Sequence, residues 1–244
     1  MPTPTQTYSN RQIWDITLPI FLSLLAQNVI NITDTAFLGR VGEVELGASA
    51  MGGLYYICLF TVAFGFSAGS QIIIGRRNGE RRYAEVGPVV MQGILFLLAL
   101  AAFCFVASHL WAEPLMRLMV SSNTLRAATM EYLDWRIYGF FFAFVSVMFR
   151  ALFVGITRTR VLTLASVVMS VVNVMLDWAL IFGHVGLPRL GLAGAAIASV
   201  AAEGATVLFL VVYTRLTVPR RRYGLDRLRA FDFRLLRQVL SISG

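Results

Sequence analysis

Three polar stripes lie in otherwise apolar sequence. Gln27, Asn31 and Asp34 recur at i, i+4, i+7; Ser199, Glu203 and Thr206 do the same; Ser170, Asn173 and Asp177 recur at i, i+3, i+7. Such spacings put each set on one face of a helix, and each set carries one carboxylate. A charge at the centre of a bilayer costs at least ~3 kcal/mol, so an acid kept there has a water-filled cavity, an ion or a proton to handle. Asn173 and Asp177 stand one turn apart. Carboxylates, an amide and hydroxyls supply the oxygens that a hard cation such as sodium wants, and a desolvated carboxylate suits proton pickup. The same residues have plainer readings. Asp34, near the end of its apolar run, can be a charge hydrated at the interface. Asn173 and Asp177 can form an interhelical clasp. Glu203 can be a protonated acid bonded to a neighbouring helix.

The elements that must position these residues are membrane helices. Of 244 residues 57% are hydrophobic and 14% charged, against about 25% charged in soluble domains, and the mean hydropathy is +0.71. The net charge is +8, and apart from two histidines every basic residue is arginine. The arginines fall in alternate loops, as membrane topology demands and a nucleic-acid groove does not. Cys58 and Cys104 sit in apolar segments and imply no disulfide framework. Phosphate loop, zinc-ligand spacing and nucleophile elbow are all missing, and His109 and His184 stand alone, so the expectation is a non-enzyme without a cofactor.

Six stretches are long enough to span at about 20 residues per crossing: 13–38, 47–74, 87–111, 132–156, 161–185 and 191–214. The first carries Pro19, Gln27, Asn28, Asn31 and Asp34 and no small-x-small cleavage site, so it reads as a transmembrane helix and not as a signal peptide. One side of the membrane receives Arg11, then Arg76, Arg77, Arg81 and Arg82, then Arg158 and Arg160, then the tail from Arg215 to Arg237. The other receives Arg40, Arg117, Arg126 and Arg189. The richer side is cytoplasmic by the positive-inside rule, which places both ends there. The expected organisation is a cytoplasmic N-terminus over 1–12, a six-helix transmembrane lobe over 13–214, a basic cytoplasmic connector over 215–236, and over 237–244 the start of a seventh helix. That last expectation rests on a weak repeat: Arg237-Gln238-Val239 then Ile242 echoes Arg11-Gln12-Ile13 then Ile16, and the counterpart of Pro19 would fall one residue past Gly244. A chain built of two similar halves follows. Within the lobe, Arg150 is expected to snorkel toward headgroups, and Phe140, Phe141, Phe142 and Phe144 to line an apolar cavity or face lipid.

Several motifs in order resemble the multidrug and toxic compound extrusion (MATE) family: Thr33-Asp34-Thr35 followed by Phe37-Leu38-Gly39; the Gly-closed basic loop from Gln71 to Gly79; Arg150-Ala-Leu-Phe-Val-Gly-Ile-Thr157; Asn173-Val-Met-Leu-Asp177-Trp-Ala-Leu-Ile-Phe-Gly183; and Gly191-Leu-Ala-Gly-Ala-Ala-Ile-Ala-Ser199. The resemblance runs from Arg11 to Gly244 and is closest to the bacterial DinF-like branch. It implies an all-α membrane fold, one six-helix lobe of a twelve-helix transporter plus its connector. It also implies a cation or proton site made by an Asp of the first helix and an Asn-x-x-x-Asp pair of the fifth, matched by Asp34, Asn173 and Asp177. Ser199 stands where the family often has Thr, no Pro follows the turn between the fourth and fifth helices, and Glu203 replaces a common Gln. The last change raises the possibility of one more titrating acid, with Gln27, Asn31 and Ser170 as further cavity residues.

The function expected is an antiporter in a bacterial inner membrane, driven by H⁺ or Na⁺ and exporting organic cations or amphipaths, with a second six-helix lobe of the same chain as its partner. No nucleic acid and no resident metal beyond a possible Na⁺ at Asp34, Asn173 and Asp177 are expected. The alternatives are a lipid-linked saccharide flippase, which would favour a basic cavity, and a membrane adaptor without transport, in which the intramembrane acids would tolerate mutation.

Overall fold

A computed structural model describes residues 10–225, together with Arg237, Val239 and Ser241. The expected N-terminal segment before Asn10, most of the connector beyond Leu225 and the side chain of Gln27 lie outside the described residues. The chain is all α-helical among those described: α1 (Asn10–Val41), α2 (Glu43–Gly79), a 3₁₀ turn (Tyr83–Glu85), α3 (Val86–Met119), α4 (Asn123–Arg136), α5 (Gly139–Gly155), α6 (Arg160–Phe182), α7 (Gly191–Thr217) and the short α8 (Arg220–Tyr223). α2, α3 with its preceding 3₁₀ turn, α6 and α7 are each long and apolar enough to cross a membrane; α4 and α5 together make a fifth span. α1 has 32 residues, and several of the side chains in its first half lie outside the described set.

The fourth expected stretch, 132–156, requires correction. It is two helices bent by 55°, and the first begins at Asn123, inside what read as a loop. The polar sequence Asn123-Thr-Leu-Arg-Ala-Ala-Thr hid this start from a search for apolar runs. Its cap is legible: the Ser122 hydroxyl accepts the Leu125 N–H at 3.4 Å, satisfying one of the free amides of a first turn. α3 likewise runs eight residues past the expected limit of 111.

Small residues let these helices approach. α6 and α7 pack most extensively, and a side chain on Gly194 would meet the backbone of Leu180. Ala195, Ala196, Ala198 and Ala202 continue that buried face. Gly155 meets Gly75 and Ile74 where α5 crosses α2, and Gly93 receives Met148. One apolar core joins α2, α3 and α5 through Phe66, Leu97, Phe140, Phe144 and Phe153; a smaller one joins α1, α6 and α7 around Leu38, Ile181 and Leu192. Phe140 and Phe144 are thus core residues, and only Phe142 of the aromatic run is substantially exposed.

The end of the lobe that carries the arginine clusters is tied by its own loops. Arg222 lies 4.1 Å over the Tyr83 ring, and Tyr223 meets Tyr83 edge to face. The Arg76 and Arg82 guanidiniums grip Glu80, holding its carboxyl below the usual range, Arg76 foremost. The backbone of Gly224 sits directly on Gly87. Gly87→Ala therefore forces a methyl into that backbone, an overpacking that costs about 1–3 kcal/mol. It is expected to lift α8 off α3 and to speed tryptic cleavage at Arg220–Arg222 severalfold. Unchanged cleavage would show that α8 docks by other contacts.

Candidate functional site

Asp34 stands seven residues before the end of α1 and Asp177 five before the end of α6, so they lie about 10 Å and about 8 Å from the same end of the bundle at 1.5 Å per residue. α1 packs along α6, and the two carboxyl groups stand within hydrogen-bonding reach of each other. Such a bond exists only while one of them holds a proton. Asn173 is 1% exposed and Asp177 0%. Four oxygens here, Asp34 Oδ1, Asn173 Oδ1 and both of Asp177, are buried with no protein donor. Buried polar atoms are nearly always paired, so a cluster of unpaired acceptors is a place for a proton or a cation. The donor set, carboxylates and an amide carbonyl, fits a hard ion. Among the described residues no group of three His, Cys, Asp or Glu is placed to hold a metal.

The other expected residues divide. Ser170 is half-buried, and its hydroxyl bonds the Ser166 carbonyl at 2.9 Å. Ser199 is half-buried on α7, one turn before Glu203. Asn31 is exposed on α1. Arg150 is exposed, its guanidinium 5.0 Å from the Phe64 ring.

Glu203 is paired, which the sequence reading did not foresee. Arg136, the last residue of α4, donates Nη2–H to its Oε1 at 2.6 Å and Nη1–H to its Oε2 at 3.1 Å. Tyr56 of α2 donates its hydroxyl to the same carboxylate at 3.2 Å, and its ring lies under the guanidinium at 3.6 Å. The ring in turn stacks on Phe140. The two charged side chains are 11% and 8% exposed. Glu203 is therefore not a lone carboxyl bonded to a neighbouring helix; a bidentate guanidinium compensates its charge. Tyr132, one turn before Arg136 on α4, is buried in the apolar cluster that also holds Leu38 of α1. Arg136, Tyr56 and Tyr132 escaped the sequence reading. The usable signal was that an acid in the middle of a span calls for a cation at matching depth, and Arg136 lies within the fourth expected stretch.

The bend explains the closeness. A side chain on Gly139, the first residue of α5, would strike Arg136, Glu203 and the Tyr56 hydroxyl. Beside the bend, a groove of about 290 Å³ is lined by Trp135, Tyr138 and Phe142 across from Ile197, Val200 and Ala201.

A model of the MatE family matches residues 19–179. The chain belongs to the MATE family. The "Probable multidrug resistance protein NorM" of Synechocystis sp. is 25% identical over 237 residues, covering 96% of this chain and 51% of that protein. The protein of the same name from Rhizobium meliloti is 29% identical over 183 residues, covering 75% and 39%. A multidrug resistance MATE family transporter of the MOP superfamily in its outward-facing conformation superposes with TM-score 0.82 at 23% identity, over 93% of this chain and 51% of that one. An inward-facing conformation of such a transporter gives 0.78, over 89% and 48%. These likenesses establish the fold of one half of such a transporter. The chain spans about half the length of the curated relatives it matches. Members of the family are transporters and not enzymes, and this MATE chain is a multi-pass membrane protein.

Two carboxylates in contact repel when both are charged, so folding forces a proton onto the pair, at a cost that grows as the pH rises. Asp177→Asn removes that cost while keeping the shape. The melting temperature of the protein in detergent is expected to rise by about 2–4 °C at pH 8, the shift worth ~1 kcal/mol in a chain of this size, and by less at pH 5. No rise at pH 8 would show that folding does not force a proton onto the pair.

Proposed function

We propose that this chain is the N-terminal lobe of a cation-coupled antiporter, driven by H⁺ or Na⁺, that exports organic cationic or amphipathic compounds across a bacterial inner membrane. The observation that carries the reading is the Asp34–Asp177 contact with Asn173 beside it, buried between α1 and α6 with four oxygens unpartnered. A site of this composition binds a cation in one state of the lobe and loses it in another, and differential binding of that kind is what lets an ion gradient drive a conformational cycle. The relatives named for multidrug resistance support a drug-like substrate. On this reading the residues of the DinF-like cation site are Asp34, Asn173 and Asp177, with Ser199 as an added hydroxyl; the arginine-rich end of the bundle faces the cytoplasm; and a second six-helix lobe follows in the same chain. A saccharide flippase would want a basic cavity, and three of the four unpaired buried oxygens among the described residues belong to aspartates.

In the full-length protein Asp177→Asn is expected to abolish gradient-driven efflux of a fluorescent cation such as ethidium. Arg189→Gln, in the loop before α7, is expected to leave it within about twofold, since water screens a charge there. The assay is efflux from proteoliposomes under an imposed pH or sodium gradient. Wild-type export by Asp177→Asn with the same gradient dependence would remove α6 from the coupling mechanism. A second expectation concerns the gene: it reads on past Gly244 into a helix with a proline directly after that residue. A stop codon there would refute the two-lobe reading.

A further inference from the structure

Arg150 lies five residues before the end of α5, about 8 Å from the arginine-rich end of the lobe at 1.5 Å per residue. An arginine at that depth ordinarily snorkels to the nearer headgroups. This one turns the other way. α5 and α2 run parallel: Tyr56 stacks on Phe140 and, further along both helices, Gly75 meets Gly155. That register sets Arg150 level with residues 66–70 of α2. Its guanidinium lies 5.0 Å from the Phe64 ring, farther from the arginine-rich end than its own backbone. Phe64 stands twelve residues before Arg76, about 18 Å along the helix. The hydrocarbon core of a bilayer is ~30 Å thick, so the charge sits near its middle.

A permanent cation at that depth is not left facing acyl chains. Arg150 and Phe64 are both exposed, and among the described residues the Phe64 ring is the partner of the guanidinium, with no hydrogen bond or ion pair to hold it. The same strip of α5 carries Ser146 one turn back and the exposed Phe142 two turns back. Phe142 lines the groove beside the α4–α5 bend. A strip of arginine, serine and aromatic rings at mid-depth faces a wet passage and not lipid. The acids of the lobe do not serve it. Glu203 is held by Arg136, and Asp34 and Asp177 lie toward the opposite end of the bundle.

We propose that the Arg150 guanidinium, turned inward over Phe64, is the binding point for an acidic group on the transported compound, so that the preferred cargo is an amphoteric aromatic molecule carrying a carboxylate beside a cationic amine. A guanidinium presents paired N–H donors in the geometry of a carboxylate, and an exposed ring beside it takes the aromatic body of the compound. A lipid phosphate offers the guanidinium the same chemistry, but headgroups lie half a hydrocarbon core away. Arg150 is then a specificity-determining residue, apart from the acids that take the coupling ion. The inference rests on the reading of this chain as one lobe of an exporter of organic compounds, and it narrows the class of those compounds.

The test is gradient-driven export from proteoliposomes holding the full-length transporter, with two fluorescent cargoes: a rhodamine zwitterion with a free carboxylate, and the methyl ester of the same dye. Each is titrated to its half-saturating concentration. In the unaltered protein the acid is expected to half-saturate at a concentration about tenfold or more below that of the ester, the low end of what a hydrogen bond between charged partners contributes. Arg150→Gln is expected to erase the difference, raising the value for the acid and leaving that for the ester within about twofold. Arg150→Lys keeps the charge and is expected to keep the preference. An unaltered protein that does not favour the acid overturns the proposal, and decides the matter even if Arg150→Gln fails to fold. A folded Arg150→Gln variant that moves neither dye overturns it too. So does one that loses both alike, the result expected if Arg150 pairs with an acid of the second lobe. An unaltered protein that exports neither dye under any imposed gradient refutes the exporter reading, and this inference with it; export of the ester without preference for the acid refutes only the inference.

Discussion

A charge cannot be left alone between apolar helices, and the Arg136–Glu203 ion pair is how this lobe meets that constraint. Removing one partner of such a pair costs about 3–5 kcal/mol in soluble proteins because the other is stranded. The pair draws four elements to one point: α4 supplies the guanidinium, α7 the carboxylate, α2 the tyrosine that bonds one and underlies the other, and α5 the glycine that lets its backbone come close. The 55° bend between α4 and α5 has no proline to explain it. It coincides with the place, among the described residues, where a backbone passes over a buried ion pair.

The remaining contacts are permitted by small residues more than driven by large ones. In lipid there is no hydrophobic gain from bringing two greasy helices together, and close van der Waals packing takes over. Gly194 on Leu180, Gly155 on Gly75 and the alanine face of α7 are the places where backbones approach. That close packing between α6 and α7 sets Asp177, on one of them, in a fixed relation to Glu203, on the other. The unpaired acids and the paired one therefore sit on helices packed directly against each other.

Two carboxyl groups in contact with an amide beside them, at 0–1% exposure for Asp177 and Asn173, are a costly arrangement for stability alone. A clasp would have been built with a donor opposite each acceptor, as Glu203 is. The contrast between the two acidic sites of one lobe, one fully satisfied and one left open, is the physical ground for assigning them different roles.

Composition and spacing by themselves determined the class of this protein. The apolar runs and the alternation of arginines specify a multi-pass helical membrane protein. The i, i+4 spacing of Asn173 and Asp177 puts an amide and an acid on one face whatever the helix packs against, because helical periodicity is local. The order of short motifs was enough to point to the MATE family. The bend at Arg136–Gly139, the true start of α4 at Asn123 and the partner of Glu203 were decided only by tertiary structure. A polar first turn carries no hydropathy signal. Arg136 and Glu203 lie 67 residues apart in the chain, and nothing local says which of several buried-depth arginines an acid will find. Pairing at that separation follows from how α4, α5 and α7 pack, and packing is a property of the whole lobe.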